Sequence, residues 1–164
     1  MNKKIIIIIA FIASFFVYKN YFADSDKKEI RAVISDLEQS LEYTKKLPPI
    51  AVFRRFKTVE SKLAPGFSAK SIADERERKA DIEKIQQGAA AAARYFSVID
   101  IFSLPARIDV NGEKATASFH ITITGRDQQG GEFKELFDMV LDLKKIEGKW
   151  LCSSLVAERL TPED

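Results

Sequence analysis

One cysteine, one histidine and one tryptophan in 164 residues remove several classes of function at the outset. The lone Cys152 leaves no partner for an internal disulfide, so an exported fold must be held by its hydrophobic core, where Cys152 is expected as a small buried hydrophobe. His120 falls among threonines with no second histidine or cysteine at ligand spacing, and neither a metal nor a cofactor is expected. Charge of one sign is also missing. Lys and Arg number 26 against 24 Asp and Glu, and without Lys3, Lys4 and Lys19 the formal charge of +2 becomes −1. With no clustered basic and aromatic surface, nucleic acid is not an expected partner.

What is present begins with MNKKIIIIIAFIASFFVYKN. Residues Ile5 to Val17 are apolar except for Ser14 and follow Lys3 and Lys4, the charge order of a secretory signal or a signal anchor. At 1.5 Å per residue that run reaches ~20 Å, short of a ~30 Å hydrocarbon core, and extension to Ala23 with Lys19 snorkelling brings it to ~28 Å. A cleavage site ending at Ala23 would place bulky Tyr21 where a small side chain is wanted, so a retained anchor is preferred over a cleaved signal peptide. Either way the bulk of the chain is expected outside the inner membrane: a single-pass anchor with its domain in the periplasm, or a free periplasmic or secreted form after cleavage. Residues 1–23 are assigned to this segment and 24–164 to one domain, long enough for a single core.

Within the domain, Asp26 and Glu29 have capping-box spacing, and Ile30, Val33, Ile34, Leu37 and Leu41 recur at helical intervals. The pattern predicts a helix from about Lys27 to Lys46, stopped by Pro48-Pro49. Val52, Phe56, Val59 and Leu63 predict a second helix closed by Ala64-Pro65-Gly66. Its FRRFK stretch places Arg54, Arg55 and Lys57 beside aromatics, either as an anionic-lipid patch or as a solvated helix face. Phe67 to Ile72 reads as a short strand. Asp74 with Glu77 repeats the capping spacing ahead of a third helix lined by Ile82, Ile85, Ala89, Ala92 or Ala93, and Phe96.

From Phe96 the hydrophobic period becomes two. The run FSVIDIFSLPARIDV is strand-like and broken at Pro105, Asn111-Gly112 is a hairpin signal, and Ala115 to Ile123 alternates apolar with polar residues. Gly130-Gly131 and the turn around Gly148 separate two further strands. The order predicts an α+β domain with three N-terminal helices packed on a curved antiparallel sheet.

This order, with the phrases NGEKATASFHITI and FDMVLDLKKIEGKWLCSSLVAER, resembles the nuclear transport factor 2-like, or cystatin-like, superfamily over roughly Lys27 to Leu160. The resemblance implies a cone-shaped fold that hosts isomerases, dehydratases, polyketide-cyclase-like enzymes, transport factors and assembly proteins. Its enzymatic branches imply a carboxylate base facing a tyrosine or a second acid inside the cone. Here Glu135, which interrupts the apolar face of Phe133, Phe137, Met139 and Leu141, and Asp100, with Tyr95 close by, are the residues to inspect; Tyr43 is a further tyrosine.

Two classes of function follow. One is a noncatalytic, membrane-tethered, extracytoplasmic binding or assembly module, similar in layout to inner-membrane scaffold subunits of type IV secretion systems. Its interface would be the polar strand face of Thr116, Ser118, His120, Thr122 and Thr124, meeting a second copy or a membrane-complex protein. The other is a binding protein or an isomerase- or dehydratase-like enzyme holding a small hydrophobic ligand in an apolar pocket. Phe119, Phe137, Met139, Glu135, Asp100 and Tyr95 are the candidate pocket residues, with no catalytic set assigned. An enclosed pocket with Glu135 or Asp100 inside would favour the second class, and a filled cone the first.

Overall fold

The computed structural model describes residues 24–73 and 76–160, so the expected anchor at 1–23 lies outside the described residues. Among the described residues, no helix is long and apolar enough to cross a membrane. Helix α1 spans 24–41 and buries Ile30, Val33 and Ile34, with Leu37 packed beside them. This is the stripe the spacing predicts. The helix stops earlier than expected because Tyr43 leaves it to bridge Ile99, each backbone N–H donating to the other's carbonyl at 2.8 Å. Asp26 lies within α1, and its carboxylate accepts from Lys145 and Trp150.

Helix α2 (Pro49–Glu60) starts on proline, whose fixed φ suits a first turn, and buries Phe56 and Val59. It ends before the Ala64-Pro65-Gly66 stop that the sequence suggests. The Lys62 carbonyl accepts from Cys152 N–H at 2.8 Å, and strand β1 (Leu63–Ala73) enters the sheet there. Gly66, at φ 76, sits at the register shift between Leu63 and Ser68, so the Pro-Gly pair forms an irregularity in a strand.

Strand β2 (Arg76–Ala80) folds back on β1, with Ile72 opposite Glu77. The second capping-box reading is therefore corrected: Glu77 is in a strand, and α3 (Ile82–Tyr95) is capped by Asp81, which accepts from Lys84 N–H at 2.9 Å. Local spacing lost to pairing at a sheet edge, where the charged RERK run suits a strand that must not recruit another.

Strands β3 (Phe96–Ser103), β4 (Arg107–Asn111), β5 (Lys114–Asp127), β6 (Glu132–Ile146) and β7 (Lys149–Leu160) complete the sheet. Its order is β2-β1-β7-β6-β5-β3, and β4 also pairs with β5. Pro105 separates β3 from β4, as the sequence implies, so the two pair in succession along β5. The sheet is not antiparallel throughout, because β1 runs parallel to β7. A parallel neighbour requires a long crossover, supplied here by the whole segment between those strands. The α+β class holds, with three helices on a mixed sheet, although a hairpin intervenes between the second helix and the third.

Alternation places Ala115, Ala117, Phe119 and Ile121 of β5 on the inner face with Leu141 and Leu143 of β6 and Cys152 of β7. Helix α1 packs over that face. Burial pushes the Cys152 thiol up to about 12, keeping it an uncharged core group.

Candidate functional site

The core is not filled. Between α1 and the sheet lies a hollow of about 120 Å³ lined by Leu37 and Leu41 of α1, Phe67 of β1, Phe119 of β5, Met139 of β6 and Leu155 of β7. One carboxyl lines it, that of Glu38. Glu38 follows Ile34 by four residues and so shares its face of α1. Its Oε1 is buried and has no hydrogen-bond partner. Burial pushes this carboxyl above its ordinary value, the Ser103 hydroxyl pulls it partly back, and the Glu42 carboxylate one turn on raises it further. Glu42 itself is engaged, accepting from Ile101 N–H at 3.1 Å.

A second hollow, of about 210 Å³, lies beside the first and shares Leu41 and Ile101 with it. Its walls include Tyr43, Val59 of α2, Ile99 of β3, and Ala89, Ala92 and Ala93 of α3. The alanines explain the space: side chains that stop at Cβ cannot reach across to α1. The Tyr43 hydroxyl donates to the Ala92 carbonyl at 3.3 Å, and burial raises its pKa. Arg55 closes one wall, its guanidinium donating to the Glu42 carbonyl and, at 3.4 Å, to that of Gln39. A cation at the C-terminal end of α1 complements the helix dipole. Of the FRRFK basic residues, Arg55 is thus tied to α1, Lys57 pairs with Glu60 at 2.6 Å, and Arg54 is exposed.

The residues singled out from the sequence divide between these hollows and the surface. Phe119 and Met139 line the inner hollow, and Phe137 packs against the core cluster. Glu135 lies on the same side of β6 but is held by Arg159, whose Nη2 donates to Oε1 at 2.7 Å. Asp100 is exposed opposite Thr124. Tyr95 is 63% exposed, its ring set edge-on to Phe96. Glu135, Asp100 and Tyr95 line neither of these two hollows. The polar face forms as expected: His120 lies opposite Asp138, Thr116 opposite Asp142, Ser118 opposite Val140, Thr122 opposite Leu136 and Thr124 opposite Lys134. His120 Nδ1 meets the Asp138 carboxylate. Thr116 and Ser154 donate to the two oxygens of Asp142 at 3.0 and 2.8 Å.

Three helices on this mixed, curved sheet recur in solved structures. A nuclear transport factor 2-like protein of Salmonella enterica is 15% identical, with a TM-score of 0.68 over 87% of this chain and 96% of that one. The fold is nuclear transport factor 2-like. A cystatin-like-fold protein of Nostoc punctiforme is 19% identical, with a TM-score of 0.60 over 84% of this chain and 92% of that one. A hexachlorocyclohexane dehydrochlorinase is 13% identical, with a TM-score of 0.61 over 88% of this chain and 95% of that one. Identities this low establish the fold and leave chemistry to the residues. No protein-family model and no curated protein matches the sequence.

Within this nuclear transport factor 2-like fold, the residue that sequence reasoning missed is Glu38. A signal existed: it is the ionisable member of the stripe Ile34, Leu37, Glu38, Leu41, a carboxylate where helical spacing calls for an apolar side chain.

Proposed function

We propose that the chain is a noncatalytic, membrane-tethered, extracytoplasmic binding protein that holds a small apolar molecule between α1 and the sheet. The observation that carries this reading is the inner hollow, apolar except for Glu38, whose buried Oε1 is unpartnered. The Glu38 carboxyl is the one polar side chain lining that space, placed to meet a lone oxygen on an otherwise apolar ligand. General acid–base turnover wants a second group within reach of the same substrate. The Glu42 oxygen and the Tyr43 hydroxyl instead serve Ile101 N–H and the Ala92 carbonyl. The tether rests on the Ile5 to Val17 run.

Calorimetric titration of the full chain with medium-chain alkanols tests the binding. Saturable binding to the wild type, lost in Leu155→Trp with an unchanged circular-dichroism spectrum, supports the reading. Absence of binding to the wild type overturns it. Intact mass and membrane partition test the tether, since a soluble chain trimmed near Ala23 removes it.

A second reading, assembly through the outward sheet face, is favoured by Phe102, Leu104 and Val140, which are 63%, 47% and 37% exposed around the His120 and Asp138 pair. A second copy is the simplest occupant. Sedimentation that is concentration-dependent in the wild type and monomeric in Val140→Lys supports this reading; a wild type that stays monomeric overturns it.

A further inference from the structure

A third apolar space adjoins the Tyr43 hollow. A groove of about 140 Å³ between α2 and α3 shares Leu47, Val52, Phe56 and Ala93 with the Tyr43 hollow, which in turn meets the Glu38 hollow at Leu41 and Ile101. Three apolar spaces therefore lie side by side, each sharing aliphatic or aromatic wall residues with the next. At the outer end the chemistry changes. Gln86 and Arg94 line the groove, and no acidic side chain does. Among the described residues the Arg94 guanidinium has no hydrogen bond or ion pair. Behind it, Gln128 Nε2 donates to the Arg94 carbonyl and Gln128 Oε1 accepts from Lys46 Nζ at 3.2 Å. Phe53, 48% exposed, forms an apolar lip.

A largely apolar groove lined by one guanidinium fits one class of molecule, an alkyl chain bearing a single anionic head. We propose that the α2–α3 groove is the entrance to the interior and takes the carboxylate of a free medium-chain fatty acid at Arg94, with the alkyl tail directed into the Tyr43 hollow. Arg94 has the donor geometry to grip both carboxylate oxygens. This rests on the reading of the interior as a binding space, and it adds the ligand's head group and point of entry.

The test is calorimetric titration of the full chain with decanoate and with 1-decanol, below their aggregation limits, for the wild type, Arg94→Ala and Arg94→Lys. The expected result is decanoate bound about tenfold more tightly than decanol, because a charge-assisted hydrogen bond contributes more than a neutral one. That preference should vanish in Arg94→Ala and return in part in Arg94→Lys, with decanol unchanged throughout. Equal affinity for the two compounds, or a decanoate preference that survives Arg94→Ala, overturns the entrance and head-group assignment while leaving the apolar interior intact. Failure of both compounds to bind the wild type overturns the interior reading as well. Binding to phosphatidylglycerol vesicles with none to free decanoate would assign the groove to a membrane surface and overturn the proposal.

Discussion

The Trp150 indole N–H donates to Asp26 Oδ1 at 3.0 Å, and Lys145 Nζ meets the same oxygen at 2.6 Å. One carboxylate thereby joins the first turn of α1 to the β6–β7 hairpin, with the Lys145 ammonium also 5.6 Å from the centre of the Trp150 ring. Burial alone would raise the Asp26 carboxyl, but these two donors outweigh it and hold the carboxyl below its ordinary value.

Asp26→Ala should therefore cost about 1–3 kcal/mol, because it leaves the buried indole N–H without an acceptor. The sign with pH follows from the lowered carboxyl. The stabilisation is present above the unfolded value of 3.8 and is lost as pH falls through the folded one. Chemical denaturation at neutral pH and in acid checks both, with the gap between wild type and Asp26→Ala expected to narrow in acid.

Glu38 should behave in the opposite sense. Its carboxyl is raised, so the folded state holds the proton more tightly than the unfolded chain, and its contribution to stability falls as pH climbs above the ordinary value of 4.5. Glu38→Leu should raise stability at neutral pH by about 1 kcal/mol by removing a buried, unpartnered polar atom. The gain should shrink towards pH 4. Thermal melts of the two proteins across that range check it.

Gly125 lies opposite Phe133, and a Cβ there would sit 2.2 Å from the Phe133 ring. That ring is also stacked at a tilt on Phe96, with centroids 4.7 Å apart. Gly125→Ala should destabilise by about 1–3 kcal/mol through overpacking. Combining it with Phe133→Leu should recover part of the loss, and a double-mutant cycle reads the coupling.

His120→Ala removes a partly exposed contact to the Asp138 carboxylate, and Glu135→Ala breaks a partly exposed ion pair to Arg159. Each should change stability by less than about 1 kcal/mol and leave the fold and ligand binding in place. A larger loss on urea denaturation, or lost alkanol binding in either variant, would show that the outer face or the Glu135 pair is coupled to the hollow.

The periodic elements were legible in the sequence because their signals are local. The stripe Ile30, Val33, Ile34, Leu37 places α1, and the alternation from Ala115 to Ile121 places the buried side of β5. The Asn111-Gly112 signal finds its hairpin, where Asn111 pairs with Lys114 and Gly112 takes φ 62. What sequence reasoning misplaced depends on distant partners. The strand read over Phe67 to Ile72 is present, but its start at Leu63 and its parallel pairing come from β7, and Glu77 is drawn into a strand by Ile72. Glu135 is a related case. Its place among Phe133, Phe137, Met139 and Leu141 is legible from the spacing, but the Arg159 that pairs with it lies 24 residues away on β7. Glu38 sits on the α1 stripe, but that its Oε1 is buried without a partner depends on the sheet packed against it.

The central claim is that the Glu38 hollow accepts an apolar ligand, and Met139 reports on it directly. The chain has two methionines, Met1 and Met139, and Met139 lines the hollow. Full-length protein carrying isotope-labelled methionine methyls should be titrated with 1-octanol and followed by NMR. The expected result is a saturable shift of the Met139 methyl, abolished in Leu155→Trp. A Met139 signal that stays still, or drifts in proportion to octanol without saturating, would contradict the account.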